Sequence, residues 1–463
     1  MYTNYKNKRN MNTLLSRYFG VLLLVFLFTA CEEKPVEPIT ITAEDFHTSV
    51  NNVTEVMIHD IFSPPQASRI YAYPNVAAYE ILASKASDYN SLATQLTDFE
   101  AIPEPATTEH LNYELAALVA HMDLSRRLVF SEDMITPYRD SLYQLWNTKN
   151  PTEYTTSKTY GLAVAEHVAA WMDKDMYKET RTMPKFSVIT DDPSRWQPTP
   201  PAYADGIEPH WNKIRPFVID SAAQFKPVPP PAFSMDKSSD FYKELKEVYD
   251  ISESITKQGD DAEEIAIAQF WDCNPYVSVT RGHLMFATKK ITPGAHWIGI
   301  AKIASRNAGH DVMETMYTYT KTSIAIADAF ISCWDEKYRS NLVRPETLIN
   351  EHFNDNWQPI LQTPPFPEYV SGHSVVSGAA SEALTSIFGD GFSFVDDTEL
   401  PYGLPVRSFS SFRAAASEAA VSRLYGGIHY RAAVDNGLVQ GKNIGRFINA
   451  SLKMKINNSQ ASN

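Results

Sequence analysis

A chain of 463 residues, 44 % hydrophobic and 21 % charged, has the make-up of a globular protein and enough length for a large core. Its formal net charge of −14 argues against nucleic acid as a partner. Residues 1–30 carry Lys6, Lys8, Arg9 and Arg17 and no acid, so the rest of the chain is four units lower, at −18. Any local cluster of cations stands out against that balance.

Residues 1–30 have the layout of a targeting signal: a basic stretch ending near Arg17, then an apolar run from Phe19 to Phe28. The run has the length of a signal-peptide core and is short for a membrane span. Ala30-Cys31 looks like a bacterial lipobox, with Cys31 as the lipidated first residue and 31–41 as a polar tether. The expectation is an exported bacterial lipoprotein, periplasmic or cell-surface, attached to a membrane only through Cys31. Cys273 and Cys333 show neither metal-ligand nor disulfide spacing and are expected as buried thiols.

Residues 42–234 form an expected N-terminal helical half. Apolar periodicity predicts helices over 75–86, 108–122 and 156–171. His110, His121 and His167 are expected on helix surfaces or in satisfied contacts. Residues 183–234 are dense in proline, as in Gln197-Pro-Thr-Pro-Pro and Pro227-Val-Pro-Pro-Pro, which excludes helix there. A loop of that length is expected to cross between two helical halves and to wrap a surface.

Residues 235–455 form the expected C-terminal half. Helices are predicted over 260–271, from Thr292-Pro-Gly-Ala-His296-Trp297 towards Lys337, over 408–425 and over 430–448, with a loop from Gly389 to Pro405. No repeat and no strand alternation of note is present, so the fold class is all-α, two packed helix bundles.

Three short islands lie in this half: Lys337-Tyr-Arg-Ser-Asn-Leu-Val-Arg344-Pro345, Pro364-Pro-Phe-Pro-Glu-Tyr-Val-Ser371-Gly372-His373, and Ser422-Arg423-Leu-Tyr-Gly-Gly-Ile-His429. Taken singly, the cations are ordinary surface charges, Ser371-Gly372 a helix cap, and His429 a structural histidine. Together they suit a compact oxyanion. Arg offers a planar fork and Lys a point charge. Ser371 adds a hydroxyl, and Gly372 lets a backbone N–H approach closely. The apolar periodic run after His373 makes Ser371-Gly372-His373 a helix N-terminus, which favours an anion. His373 and His429 can change protonation near neutral pH.

The three islands resemble the signature shared by vanadium-dependent haloperoxidases and the type-2 phosphatidic acid phosphatase superfamily. Likeness to the bacterial haloperoxidases extends over His210-Trp211, the Trp271–Tyr276 stretch and Pro293–Trp297, strongly in 260–450 and weakly before. Two positions depart from the pattern. Val370 stands where Pro is usual, and Ala433 stands where an acid usually follows the last His by four, the nearest acid being Asp435.

The resemblance implies a vanadate cofactor, with His429 bonded to vanadium in one axial position. It implies that Lys337, Arg344, Ser371, Gly372 and Arg423 hold the equatorial oxygens and that His373 is the acid/base for hydrogen peroxide. Halide would be oxidised to hypohalous acid. Trp334, Phe366 and Tyr276 look most like the halide pocket of the bacterial iodoperoxidases, so iodide is the expected halide. The alternative is a phosphomonoesterase using the same cradle, with His429 as nucleophile and His373 as proton donor. The sequence leaves the oligomeric state open.

Overall fold

The structure is a computed structural model describing residues 37–275, 278–281, 284–287 and 290–456. The expected signal peptide, Cys31 and Tyr276 lie outside the described residues.

Helices dominate. In the N-terminal part they are α1 (Ala43–His59), α2 (Pro64–Ala83), α3 (Tyr113–Leu128), α4 (Glu132–Lys149), α5 (Pro151–Met172) and the single turn α6 (Tyr177–Thr180). Several begin away from the expected position because a cap decides the boundary. Ser63 accepts the N–H of Gln66, and Pro64 and Pro65 occupy the first turn, where their missing N–H costs nothing. α2 therefore starts well before Asn75 and carries Pro74 in its interior. Asn112, not the Thr107-Thr108 pair, caps α3 through Leu115 N–H at 3.0 Å. Asn150 and Pro151 start α5. Nearly every residue of α2 is buried, so it forms the centre of its bundle, packed on α3 and α5.

The second part holds α7 (Asp240–Gln258), α8 (Glu263–Phe270), α9 (Pro293–Ala308), α10 (Val312–Ser340), α11 (Pro345–His352), α12 (Gly372–Phe388), α13 (Phe412–Tyr425) and α14 (Arg431–Ser451). Two small antiparallel hairpins depart from the purely helical expectation. One pairs β1 (Ser278–Arg281) with β2 (Leu284–Ala287). The other pairs β3 (Phe394–Asp396) with β4 (Arg407–Phe409). The latter takes residues 408–409 out of the expected helix, which starts only after Ser411 caps Ala414 N–H at 3.1 Å. One large buried apolar cluster extends from Ile39 to Met454, and a small second one joins Ala268, Leu361 and Ile428. Among the described residues no helix is long and apolar enough to cross a membrane.

α12 and α14 pack backbone to backbone. A Cβ on Gly441 would sit 2.0 Å from the Val375 carbonyl, and one on Gly378 would meet the Leu438 carbonyl at 2.8 Å. That closeness seats the start of α12 beside the start of α14, where Ser371 N–H donates to the Ala433 carbonyl.

The proline-rich crossing is irregular apart from a 3₁₀ turn at Trp211–Lys213. It is a brace. Ser194 and Trp196 exchange backbone hydrogen bonds with Val343 and Asn341. Ile207 N–H donates to the Pro365 carbonyl at 3.1 Å, and the Ile207 carbonyl accepts Trp334 Nε1–H at 3.3 Å. Asp328 on α10 takes the N–H groups of Phe217, Val218 and Ile219 at 2.7–3.0 Å. The sequence islands around Lys337 and Phe366 are thus held in register from outside.

Candidate active site

Four chain segments converge. α10 ends where Asn341 turns left-handed (φ 47°), placing Trp334 and Lys337 one turn apart near its end. Arg344 precedes α11, with Pro345 at the first helical position. Ser371 caps α12, its hydroxyl oxygen accepting Ser374 N–H at 3.3 Å and leaving its own proton to donate. Arg423 lies in the last turn of α13. His429 lies in the turn before Tyr430 caps α14, rather than inside that helix. Trp334, Phe366, Gly372, His373, Arg423 and His429 all line one narrow cavity.

The charges are fully interior: Lys337 and Arg344 are 0 % exposed, Arg423 1 % and His429 2 %. Arg344 organises the loops, donating from Nε to the Phe366 carbonyl at 2.9 Å and from Nη1 to the Ile428 carbonyl at 2.8 Å. The same Nη1 lies 3.2 Å from His429 Nε2. Lys337 Nζ donates to the carbonyls of Pro367, Glu368 and Val370 at 2.5–3.1 Å. Arg423 Nη1 donates to the Trp271 carbonyl at 3.0 Å, whereas its Nε and Nη2 are buried without a hydrogen-bond partner, Nη2 facing the Asp272 carboxylate at 4.0 Å.

Burial disfavours these charges. It lowers Lys337 to about 7, with Arg344 adding to the effect, and lowers Arg344 to about 10. Burial, then Arg344, Lys337 and Arg423, hold His429 well below the usual imidazole value. Burial, then Arg423 and His296, do the same for His373. Both rings are therefore neutral near pH 7. His373 hydrogen-bonds the Trp271 carbonyl, while its Nε2 is shielded and unpartnered.

Glu368 is the residue the sequence reading missed. Its Oε1 lies 2.7 Å from His429 Nδ1 and accepts Tyr430 N–H at 3.0 Å. It does for His429 what the acid four residues on does in the family pattern, whereas Asp435 is exposed and Ala433 only offers its carbonyl to Ser371. Because Nδ1–H donates to Glu368, the Nε2 lone pair faces the cradle. Burial raises Glu368 to about 8, opposed by Arg344 and Lys337. The signal was present, since Glu368 sits inside the second island, but nothing local says that its side chain turns towards residue 429.

Phe366 lies under the cations. Lys337 Nζ is 4.8 Å and the Arg344 guanidinium 5.1 Å from its ring centre, and Trp334 packs against it at 5.0 Å. These two aromatics form a wall of the cavity beside Gly372. The structure brings together Lys337, Arg344, Ser371, Gly372, His373, Arg423, His429, Trp334 and Phe366. His210 does not join them; it is half-buried and hydrogen-bonds the Pro184 carbonyl.

The donor set fits an oxyanion such as vanadate. Buried donors without partners cost about 1–3 kcal/mol each, more when charged, and Arg423 carries two of them. A bound anion would satisfy those donors and favour the charged forms of Lys337 and Arg344. His373 Nε2 has no hydrogen-bond partner, and the His429 Nε2 lone pair meets only Arg344 Nη1.

A buried cradle of cations with two neutral imidazoles, inside helical bundles, defines a class of oxyanion-centred enzymes. Comparison with known proteins narrows it. A family model described as "VCPO second helical-bundle domain" matches residues 316–458. The crystal structure of the first bacterial vanadium-dependent iodoperoxidase is 66 % identical, with a TM-score of 0.88, over 91 % of this chain and all of that one. The chain belongs to the vanadium-dependent haloperoxidases. Two bacterial vanadium-dependent chloroperoxidase structures share the fold at 16 % identity. The holo form has a TM-score of 0.67 over 90 % of this chain and 98 % of that one. The apo form has 0.61 over 82 % and 93 %. No curated protein matches.

Proposed function

We propose that this enzyme uses vanadate to oxidise iodide in preference to other halides, with hydrogen peroxide as oxidant: peroxide, halide and one proton give hypohalous acid and water. The observation that carries it is the Arg423 guanidinium, buried with two unmet donors beside Lys337, Arg344 and the two neutral imidazoles. Bound vanadate supplies a Lewis acid that polarises peroxide without changing oxidation state.

The chain's own groups do the rest. His429 Nε2 is the ligand, aimed by Glu368 through Nδ1. Lys337, Arg344 and Arg423, with the Ser371 hydroxyl and the Gly372 amide at the positive end of α12, neutralise the anion's oxygens. His373 Nε2 takes a proton from hydrogen peroxide and returns it to the departing oxygen as water forms; its Trp271 contact fixes the ring for that task. Trp334 and Phe366 give the halide a dry, polarisable approach. Iodide is the least hydrated of the halides and loses least on entering. The 66 % identical relative described as an iodoperoxidase supports the same choice.

The test is a halide series on vanadate-loaded protein at matched pH. Iodide turnover well above bromide, with no useful chloride activity and no phosphate-ester hydrolysis, is expected. Bromide at or above iodide would reject the halide assignment. Robust phosphatase activity without peroxidase activity would reject the haloperoxidase reading itself.

We also propose export as a lipoprotein through Cys31, on the strength of the basic-then-apolar N-terminus and Ala30-Cys31. Palmitate labelling of the expressed protein, lost in Cys31→Ala, is the expected result; equal labelling of both rejects it.

A further inference from the structure

Behind the Trp271 carbonyl that receives Arg423 lies a second cluster, from three distant parts of the chain. Cys273 follows α8, His296 is in the first turn of α9, and Glu399 lies in the loop after β3. All three are buried, and one ligand atom from each lies within 4.8 Å of the others. Cys273 Sγ is 3.4 Å from His296 Nδ1 and 3.8 Å from Glu399 Oε1, and that nitrogen and oxygen are 3.2 Å apart. A tetrahedral zinc ion, with bonds of about 2.3 Å to sulfur and about 2.0–2.2 Å to nitrogen and oxygen, needs ligand edges of about 3.3–3.6 Å. The triangle has nearly those edges.

The histidine is oriented as a ligand would be. Its Nε2 lies 2.9 Å from Asp396 Oδ2, which leaves Nδ1 to face Cys273 and Glu399. Asp396 is itself held by Thr398 through its N–H and hydroxyl. The Trp271 ring stacks on the imidazole at 4.5 Å and 21°. A carboxylate behind a histidine, with the ring locked by packing, is the usual outer support of a metal-binding imidazole.

We propose that Cys273, His296 and Glu399 bind a divalent cation of borderline softness, zinc above all, with Asp396 as the positioning residue behind His296. The mixed sulfur, nitrogen and oxygen set selects zinc over magnesium or calcium. A three-ligand zinc site takes water in its fourth position. Without the ion, burial and the neighbouring carboxylate keep the Cys273 thiol protonated, its pKa raised to about 11 despite His296 beside it. Burial works against a charge on His296, but Asp396 and Cys273 outweigh it and keep its pKa well above 6.5. Loading expels the thiol proton and the His296 Nδ1 proton as two positive charges enter, so the cluster's net charge is unchanged. Cys273 also lines the cavity shared by His373 and Arg423, which gives the ion an entry path. The bound ion would tie residues 271–274 to α9 and the β3–β4 loop, bracing the carbonyl that Arg423 and His373 share.

The test adds cobalt(II) alone to the full chain after chelation, with and without refolding, and follows the thiolate-to-cobalt charge-transfer band. The proposal predicts the band at one equivalent and its displacement by zinc. Cys273→Ser should abolish it, Cys31→Ser and Cys333→Ser should keep it, and Asp396→Asn should weaken binding about 10–100-fold. Absence of the band under both conditions, or its survival in Cys273→Ser, overturns the proposal. It would then leave a protonated His296 bridging two carboxylates. The wild-type titration does not depend on any variant folding, and the Asp396→Asn variant reads the His296 side of the cluster rather than the vanadate cradle.

Discussion

The Glu368 carboxylate lies 2.7 Å from His429 Nδ1 and accepts the N–H of Tyr430 as well. Two hydrogen bonds from consecutive residues clamp one buried oxygen, and with it the tautomer of the imidazole proposed as the vanadium ligand. The family pattern puts this acid four residues after the histidine; here it comes from the loop before α12, 61 residues upstream. Glu368→Gln, which can still meet Nδ1–H with its carbonyl, should lower vanadium affinity about tenfold, and Glu368→Ala towards a hundredfold. Asp435→Asn should change nothing. Vanadium retained after gel filtration of the loaded variants checks the order; a larger loss in the Asp435 variant would reassign the support.

Nothing in the backbone requires a glycine at position 372. It has no left-handed φ, and an added Cβ would meet Trp334 and Lys337 only at 3.7 and 3.9 Å, ordinary contact. Gly372→Ala should therefore melt within a few degrees of the parent. The methyl group would stand beside the Lys337 stem where oxygens must approach, so vanadate affinity should fall tenfold or more, about 1.4 kcal/mol. Gly441→Ala should behave oppositely: its Cβ would collide with the Val375 carbonyl at 2.0 Å, destabilising the whole fold. Thermal melts and vanadate titrations of both variants separate the two roles.

Lys337 ties the stability of the vanadate-free protein to pH. Its pKa is about 7 when folded and about 10.4 when unfolded. Between those values the unfolded chain binds the extra proton, so stability rises with pH, by about 1.4 kcal/mol per unit for this one group. Glu368, raised to about 8, acts in the opposite direction between about 4.3 and 8; above about 8.5 the buried Cys273 and Cys333 thiols, raised to about 11, also oppose it, while Lys321, lowered to about 8, adds to it. Between pH 8 and 10 the stability of the vanadate-free protein, read by denaturant unfolding, should therefore gain on that of Lys337→Met by about 1.4 kcal/mol per pH unit. Identical slopes in the two proteins would mean that Lys337 is not desolvated.

His429→Ala and His373→Ala should divide the two imidazole roles. The first removes the ligand and with it vanadium retention. The second should keep vanadium and lose about 10²–10⁴ of turnover, the usual worth of a positioned proton carrier. Elemental analysis beside steady-state rates reads both; equal retention in the two variants contradicts the division.

Much of this site was legible because oxyanion chemistry needs particular side chains at fixed offsets from helix ends. Lys337 and Trp334 share one helix end, Ser371 caps another, and Arg423 closes a third. The helices themselves were legible from apolar spacing, but their starts were not, because Ser63-Pro64-Pro65 and Asn150-Pro151 are starts that resemble breaks. Glu368 and the Cys273–His296–Glu399 cluster were invisible for a different reason. Their partners lie 61, 23 and 126 residues away, and only the packing of the bundles and the β3–β4 hairpin brings them together. The proline-rich crossing also hides its role in sequence: its backbone, not its side chains, does most of the bracing.

The central claim is that Arg423 is buried for an anion. Calorimetric titration of the metal-free protein with vanadate, wild type against Arg423→Ala, tests it most directly. Removing one partner of a desolvated charge cluster costs about 2–5 kcal/mol, so the variant should bind vanadate about 30- to several-thousand-fold more weakly while remaining folded. Equal vanadate affinity in the two proteins would contradict the account.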